Sequence, residues 1–201
     1  MTKTETEKPR SVLPEWLADG VVSRFRAGIS SVFIVHGDIT CLTPNPYADT
    51  EVQWPYIPLK ELLSRVWDER DMVIFYDIAS GVRFLNPDME KQFRKAAELE
   101  KDGDADPKDP VAAAKVARDA KKALPREPEL CLPLIEKVLR NMKNVAVVIE
   151  SAHFIVPESS GPGLSQNERA HIQRFRNWAH DGNMMKKRNN IVLLGLITKK
   201  R

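Results

Sequence analysis

Three short runs of almost unbroken apolar residues constrain this chain more than anything else in it: "DMVIFYD", "NVAVVIE" and "NNIVLLGLI". Successive side chains of a strand point to opposite faces, so a strand that is apolar throughout must be covered on both. The segments before these runs repeat their apolar residues at helical spacing. One carries Leu59, Leu62, Leu63, Val66 and Trp67, the next Leu134, Ile135, Val138, Leu139 and Met142. A later one carries Ile172, Phe175, Trp178 and Ala179 as its buried stripe. Such alternation predicts an α/β fold in three layers, a mostly parallel sheet with helices on both faces.

The flanks fit that frame. "SSVFIVHGD" reads as the first strand. A helix bearing Trp16, Leu17, Val21 and Phe25 precedes it, punctuated by Pro14 and Gly28. Asn86 followed by Pro87 predicts a helix start, and Ser165 with Glu168 forms a capping-box pattern. Residues 1–11 read as a disordered tail and 12–201 as one domain. The Pro-, Thr- and Asn-rich stretch from Ile39 to Tyr56 reads as a loop. Residues 100–129, charged and poor in large apolar side chains, read as a flexible insertion.

Composition excludes several classes. Thirty-one basic against 28 acidic residues give a net charge of only +3, too little to argue for nucleic acid on its own. Cys41 and Cys131 are far apart and have no metal-ligand spacing, which fits a reducing compartment. No run is long and apolar enough to span a bilayer, and the polar start lacks a secretory h-region. The expectation is a soluble cytoplasmic protein.

Ligands of such sheets sit beyond the carboxyl ends of the strands. Asp38, Asp77 and Glu150 end three strands there, a candidate magnesium site, since Mg²⁺ needs one or two carboxylates plus water. A phosphate-cradling loop would read G-x-x-x-x-G-K-[ST] after the first strand. From Gly37 and Asp38 onward the chain instead places Leu42, Thr43 and Pro44 at the last three positions. Pro44 also has no amide N–H to donate. The motif is absent.

The third apolar run ends Glu150-Ser151 where an acid pair would serve hydrolysis, and Ser151 is no base without an activating partner. The commoner role for Glu150 is to cap the strand at solvent or to pair with an arginine. His153 near Ser151 lacks the G-x-S-x-G elbow of a nucleophile. His36 reads as a strand-end histidine, and His171 and His180 are spaced wrongly for a metal pair. "RAHIQRFRNW" mixes basic and aromatic residues, most simply as a solvated helix face.

"VFIVHGDI", "PLKELLSRVW", "MVIFYDIASGVRF", "VAVVIESAHFIVP", "LSQNERAHIQRFRNWA" and "NNIVLLG" follow one another in an order and spacing that resemble a known family. They look like the N-terminal, P-loop-lacking domain of bacterial tandem AAA-type ATPases. The resemblance covers roughly residues 12 to 198 apart from the charged insertion. It implies a P-loop NTPase-like sheet of order 1-4-3-2, without strand 5, the helical lid or the arginine finger, hence a domain incomplete at its C-terminus. It implies a Walker B-like pair at Glu150 and Ser151, a degenerate Walker A-like loop over Gly37, Asp38, Leu42, Thr43 and Pro44, and a sensor-1-like Thr198. The implied role is an assembly or regulatory module of an ATP-hydrolysing protein. Its partners would be a neighbouring AAA domain or subunit and further copies of itself, with room for weak binding of ATP or ADP with magnesium. Two alternatives stay open: a magnesium-dependent phosphohydrolase or nuclease built on Asp38, Asp77 and Glu150, and a nucleic-acid-binding adaptor.

Overall fold

Met72, Ile74 and Tyr76 face one side of the central strand, Val73 and Phe75 face the other, and both sets are buried. That is the double cover that an unbroken apolar run demands. The structure, a computed structural model, describes residues 13–37, 42–48, 55–99, 123–157 and 163–197. Strands β1 (Val32–Gly37), β4 (Met72–Asp77), β5 (Gly81–Phe84), β6 (Val145–Ile149) and β7 (Ile191–Ile197) form a sheet of order β1-β7-β6-β4-β5. The first three pairings are parallel, in register Val32↔Val192, Val147↔Val192 and Ile74↔Val147. Only β5 runs antiparallel, against β4. The order expected from sequence, 1-4-3-2, is thus present, extended by one edge strand.

Helices cover both faces. On one lie α1 (Glu15–Leu17), a π-helical turn (Ala18–Ser23), α2 (Arg24–Arg26) and α3 (Leu59–Val66). Their Leu17, Val21, Leu62 and Leu63 pack with Val73, Phe75, Ala146, Val148 and Leu193. On the other face lie α4 (Pro87–Ala96), α5 (Pro128–Asn141) and α6 (Gln166–His180). There Phe93, Ile135, Leu139, Phe175 and Trp178 meet Ile74, Val147 and Val192. Three layers result, as the sequence predicts.

Local signals hold where they are local. Asn86 Oδ1 accepts from the Met89 amide at 2.9 Å and starts α4. Ser165 and Glu168 close a reciprocal capping box at α6.

Three expectations need correction. The span Ile39–Tyr56 is not all loop: β2 (Leu42–Pro44) pairs antiparallel with β3 (Tyr56–Pro58). The turn after Asp77 folds back as β5 because Gly81, at φ 73°, takes a conformation that side chains disfavour. The stripe of α6 is His171, Phe175 and Trp178, while Ala179 is exposed. The helical spacing 171-175-178 is as regular as 172-175-178-179, so periodicity alone could not choose. Finally, α5 already begins at Pro128, inside the span read as insertion. Leu124 packs on the core, and the Arg126 carbonyl accepts from Tyr76 Oη at 2.7 Å. Most of that charged span, residues 100–122, and the whole of the predicted tail lie outside the described residues.

Candidate functional site

Where β4 and β6 end and α3 begins, the sheet opens into a cleft of about 790 Å³. Parallel sheets place their ligand sites at this edge, beyond the carboxyl ends of the strands. The walls are largely apolar, with Leu59 and Leu63 from α3, Val148 and Ile149 from β6, and Phe154 beyond. The polar groups come from Lys60, Asp77, Arg83, Glu150 and Ser151.

Arg83 organises them. Its Nη2 donates to Asp77 Oδ2 at 2.6 Å and to Glu150 Oε2. The β4–β5 turn carries Arg83 back over the strand end, so two carboxylates from neighbouring strands share one guanidinium. The Ser80 amide donates to Asp77 Oδ1 at 2.7 Å. Burial works against the Asp77 charge, but the Arg83 and Ser80 hydrogen bonds outweigh it and hold the carboxyl below its ordinary range. Arg83 Nε is buried and has no partner among the described residues.

Lys60 stands in the first turn of α3, its ammonium 5.1 Å from the centre of the Phe75 ring. Burial and then the Arg83 charge lower its pKa, and Asp77 offsets part of this. Sequence reasoning looked for a lysine directly after the first strand and missed this one. The β2–β3 ribbon stands between β1 and the helix that carries it.

The predicted site residues separate. Asp77, Glu150 and Ser151 meet in the cleft. Ser151 follows Glu150 in a left-handed conformation, φ 54°, and leads into a 3₁₀ turn, Ala152–Phe154. Gly37 ends β1 at φ 129°, where glycine is favoured. Leu42, Thr43 and Pro44 form β2, extended and paired with β3 rather than wrapped into a loop. Asp38 and Thr198 lie outside the described residues. No group of three metal-ligating side chains occurs among the described residues. His153 packs against the exposed Phe154 ring, His36 is exposed on β1, and buried His171 lies 3.7 Å from a Glu129 oxygen. Burial pushes the Cys131 thiol up to about 12, so it stays protonated and unreactive.

A family model described as the AAA+ chaperone N-terminal Rossmann-like domain matches residues 6–195. The chain belongs to that family. Comparison with curated proteins and with solved structures gave no match. As an AAA+ chaperone N-terminal domain, it is part of an AAA protein, which agrees with the resemblance drawn from the order of its segments. Its Rossmann-like α/β sheet accounts for the cleft's position. No helix among the described residues is long and apolar enough to cross a membrane.

Proposed function

We propose that this AAA+ chaperone N-terminal domain is a non-hydrolysing assembly and regulatory module that works beside a catalytic AAA domain or subunit. One observation carries the reading: Arg83 already fills the space between Asp77 and Glu150. Magnesium-assisted hydrolysis needs a strand-end carboxylate free to hold the hydrated ion and a second group to orient water. Here both carboxylates are committed to a guanidinium, and Ser151 follows Glu150 where an acid would be needed. The residues present do not fit Mg²⁺ while Arg83 holds them. The G-x-x-x-x-G-K-[ST] pattern is also absent from the sequence.

The cleft retains the size and mixed lining of a small-molecule site. Lys60, which forms no ion pair with any described residue, suits the phosphate end of a nucleotide, and the apolar walls suit its base. Weak, metal-independent nucleotide binding is therefore part of this reading. The phosphohydrolase alternative gains the meeting of Asp77 with Glu150 but loses their freedom to Arg83.

Steady-state ATP turnover by the purified chain with magnesium is the test. No turnover above blank is expected. Clear turnover that disappears in Glu150→Gln would sink the reading and restore a hydrolytic site.

A further inference from the structure

A second cavity, of about 430 Å³, opens at the opposite edge of the sheet, where the strands begin. It lies between the helical segment that includes the π turn and the approaches to β6 and β7, with Phe25, Arg26, Trp67, Arg70, Asn144 and Asn189 in its lining. π turns recur at functional sites, since they re-aim the side chains that follow. Asn144 and Asn189 both adopt left-handed φ of 55°, and Asn189 Nδ2 donates to Asn144 Oδ1 at 3.1 Å. Two such residues locked together form a defined polar wall rather than a random loop surface.

Arg70 is the charge in this wall. Its Nη1 donates to the Asn189 carbonyl at 2.7 Å and more weakly to the Val145 carbonyl at 3.4 Å. The guanidinium lies 5.1 Å from the centre of the Phe25 ring, and it forms no ion pair with any described carboxylate. Burial lowers its pKa to about 10, with Asp71 offsetting part of that cost. Arg70 is half-buried, and its guanidinium bonds to described residues go to neutral carbonyls rather than to an anion. The carbonyl bonds use Nη1 alone, and neither Nε nor Nη2 donates to a described residue. Those two atoms form the edge of a guanidinium that matches a carboxylate or phosphate in a fork.

We propose that this cavity binds a small organic anion, a carboxylate or phosphate on an apolar body, with the Nε–Nη2 edge of Arg70 as its anchor. The Phe25 and Trp67 rings provide the apolar surroundings, Arg26 adds positive charge at the exposed rim, and Glu69 is the one carboxylate in the lining. The site is independent of the cleft at the other end of the strands, so it stands or falls separately from the proposed function.

Two-dimensional NMR titration of the ¹⁵N-labelled chain tests it, with phenyl phosphate and benzoate as anionic probes and benzyl alcohol as the neutral one. Ionic strength is held constant with chloride. Saturable shifts of the Trp67 indole and of the Asn144 and Asn189 side-chain amides are expected with an anionic probe. The tighter of the two tells phosphate from carboxylate. Benzyl alcohol should bind at least ten-fold more weakly. Arg70→Lys keeps the charge but loses the fork, and should weaken binding about ten-fold. Should that variant not fold, Arg26→Gln at the rim should weaken binding about three-fold by removing one exposed charge. Absence of saturable shifts, equal binding of benzyl alcohol, or unchanged affinity in whichever folded variant is read would overturn the proposal.

Discussion

Replacing Arg83 by Met leaves Asp77 and Glu150 facing one another with no cation between them. The Asp77 carboxyl is held below its ordinary range in the folded state. Its stabilisation is therefore complete above the unfolded value, about 3.9, and is lost as pH falls through the folded one. Arg83→Met should destabilise the domain by about 1–2 kcal/mol at pH 7, a figure already reduced for the partial exposure of the guanidinium. The deficit should narrow as pH falls below about 4 and the Asp77 carboxyl protonates. Urea midpoints of both proteins across that range give the answer, and a pH-independent deficit would assign Arg83 a packing role instead. Asn190 is a second pin. Fully buried, it donates to the Leu139 and Met184 carbonyls, each at 2.8 Å, and accepts from the Val145 amide at 2.9 Å. Asn190→Leu strands all three groups, so a loss of roughly 2–4 kcal/mol is expected in the same denaturation measurement. The Asn190 pin could not be read from sequence, and at Glu150 an arginine partner was expected but not which one, because these partners are distant in the chain. Arg83 meets Glu150 across 67 positions and Asn190 meets Leu139 across 51. The carboxylates themselves were legible, since a charge that closes an apolar run is visible without its partner.

At the scale of elements, legibility follows the range of the forces that build each one. The caps at Asn86 and Ser165 depend on residues three positions away, and both are present as predicted. Asn86→Ala should accordingly cost about 1 kcal/mol, seen as a lowered thermal midpoint. A near-neutral result would mean that packing of Met89 and Phe93 alone fixes the start of α4. The long apolar strands were equally plain. β2, β3 and β5 were not, because strands of three or four residues carry too few alternations to stand out from a loop. Their existence depends on cross-strand partners: Thr43 opposite Ile57, and Tyr76 opposite Val82. β5 matters most for the site, since it is the element that delivers Arg83.

For the whole molecule, the sheet's two edges differ, and the difference leads to a prediction about assembly. At one edge β5 shields β4 with a short antiparallel strand. At the other, β1 pairs only with β7 among the described residues, so one row of its amides and carbonyls meets no strand there. Phe33 is buried against the helices of its face, but Ile34, pointing the other way, remains 61% exposed, and nearby Ile29 is 68% exposed. An unpaired strand with an apolar residue outward is a template for another strand. Family membership makes neighbouring AAA domains or subunits the natural partners, and a second copy offers the same edge to itself. The isolated chain should therefore self-associate as its concentration rises, by sedimentation velocity. Ile34→Lys should shift it toward monomer without lowering its thermal midpoint, because a charge on an exposed edge opposes pairing while leaving the buried face untouched. Amide exchange supplies the independent check. Protection from Val32 to Val35 that grows with concentration ties the association to this strand. A strict monomer with these amides already protected would mean that another part of the chain covers the edge.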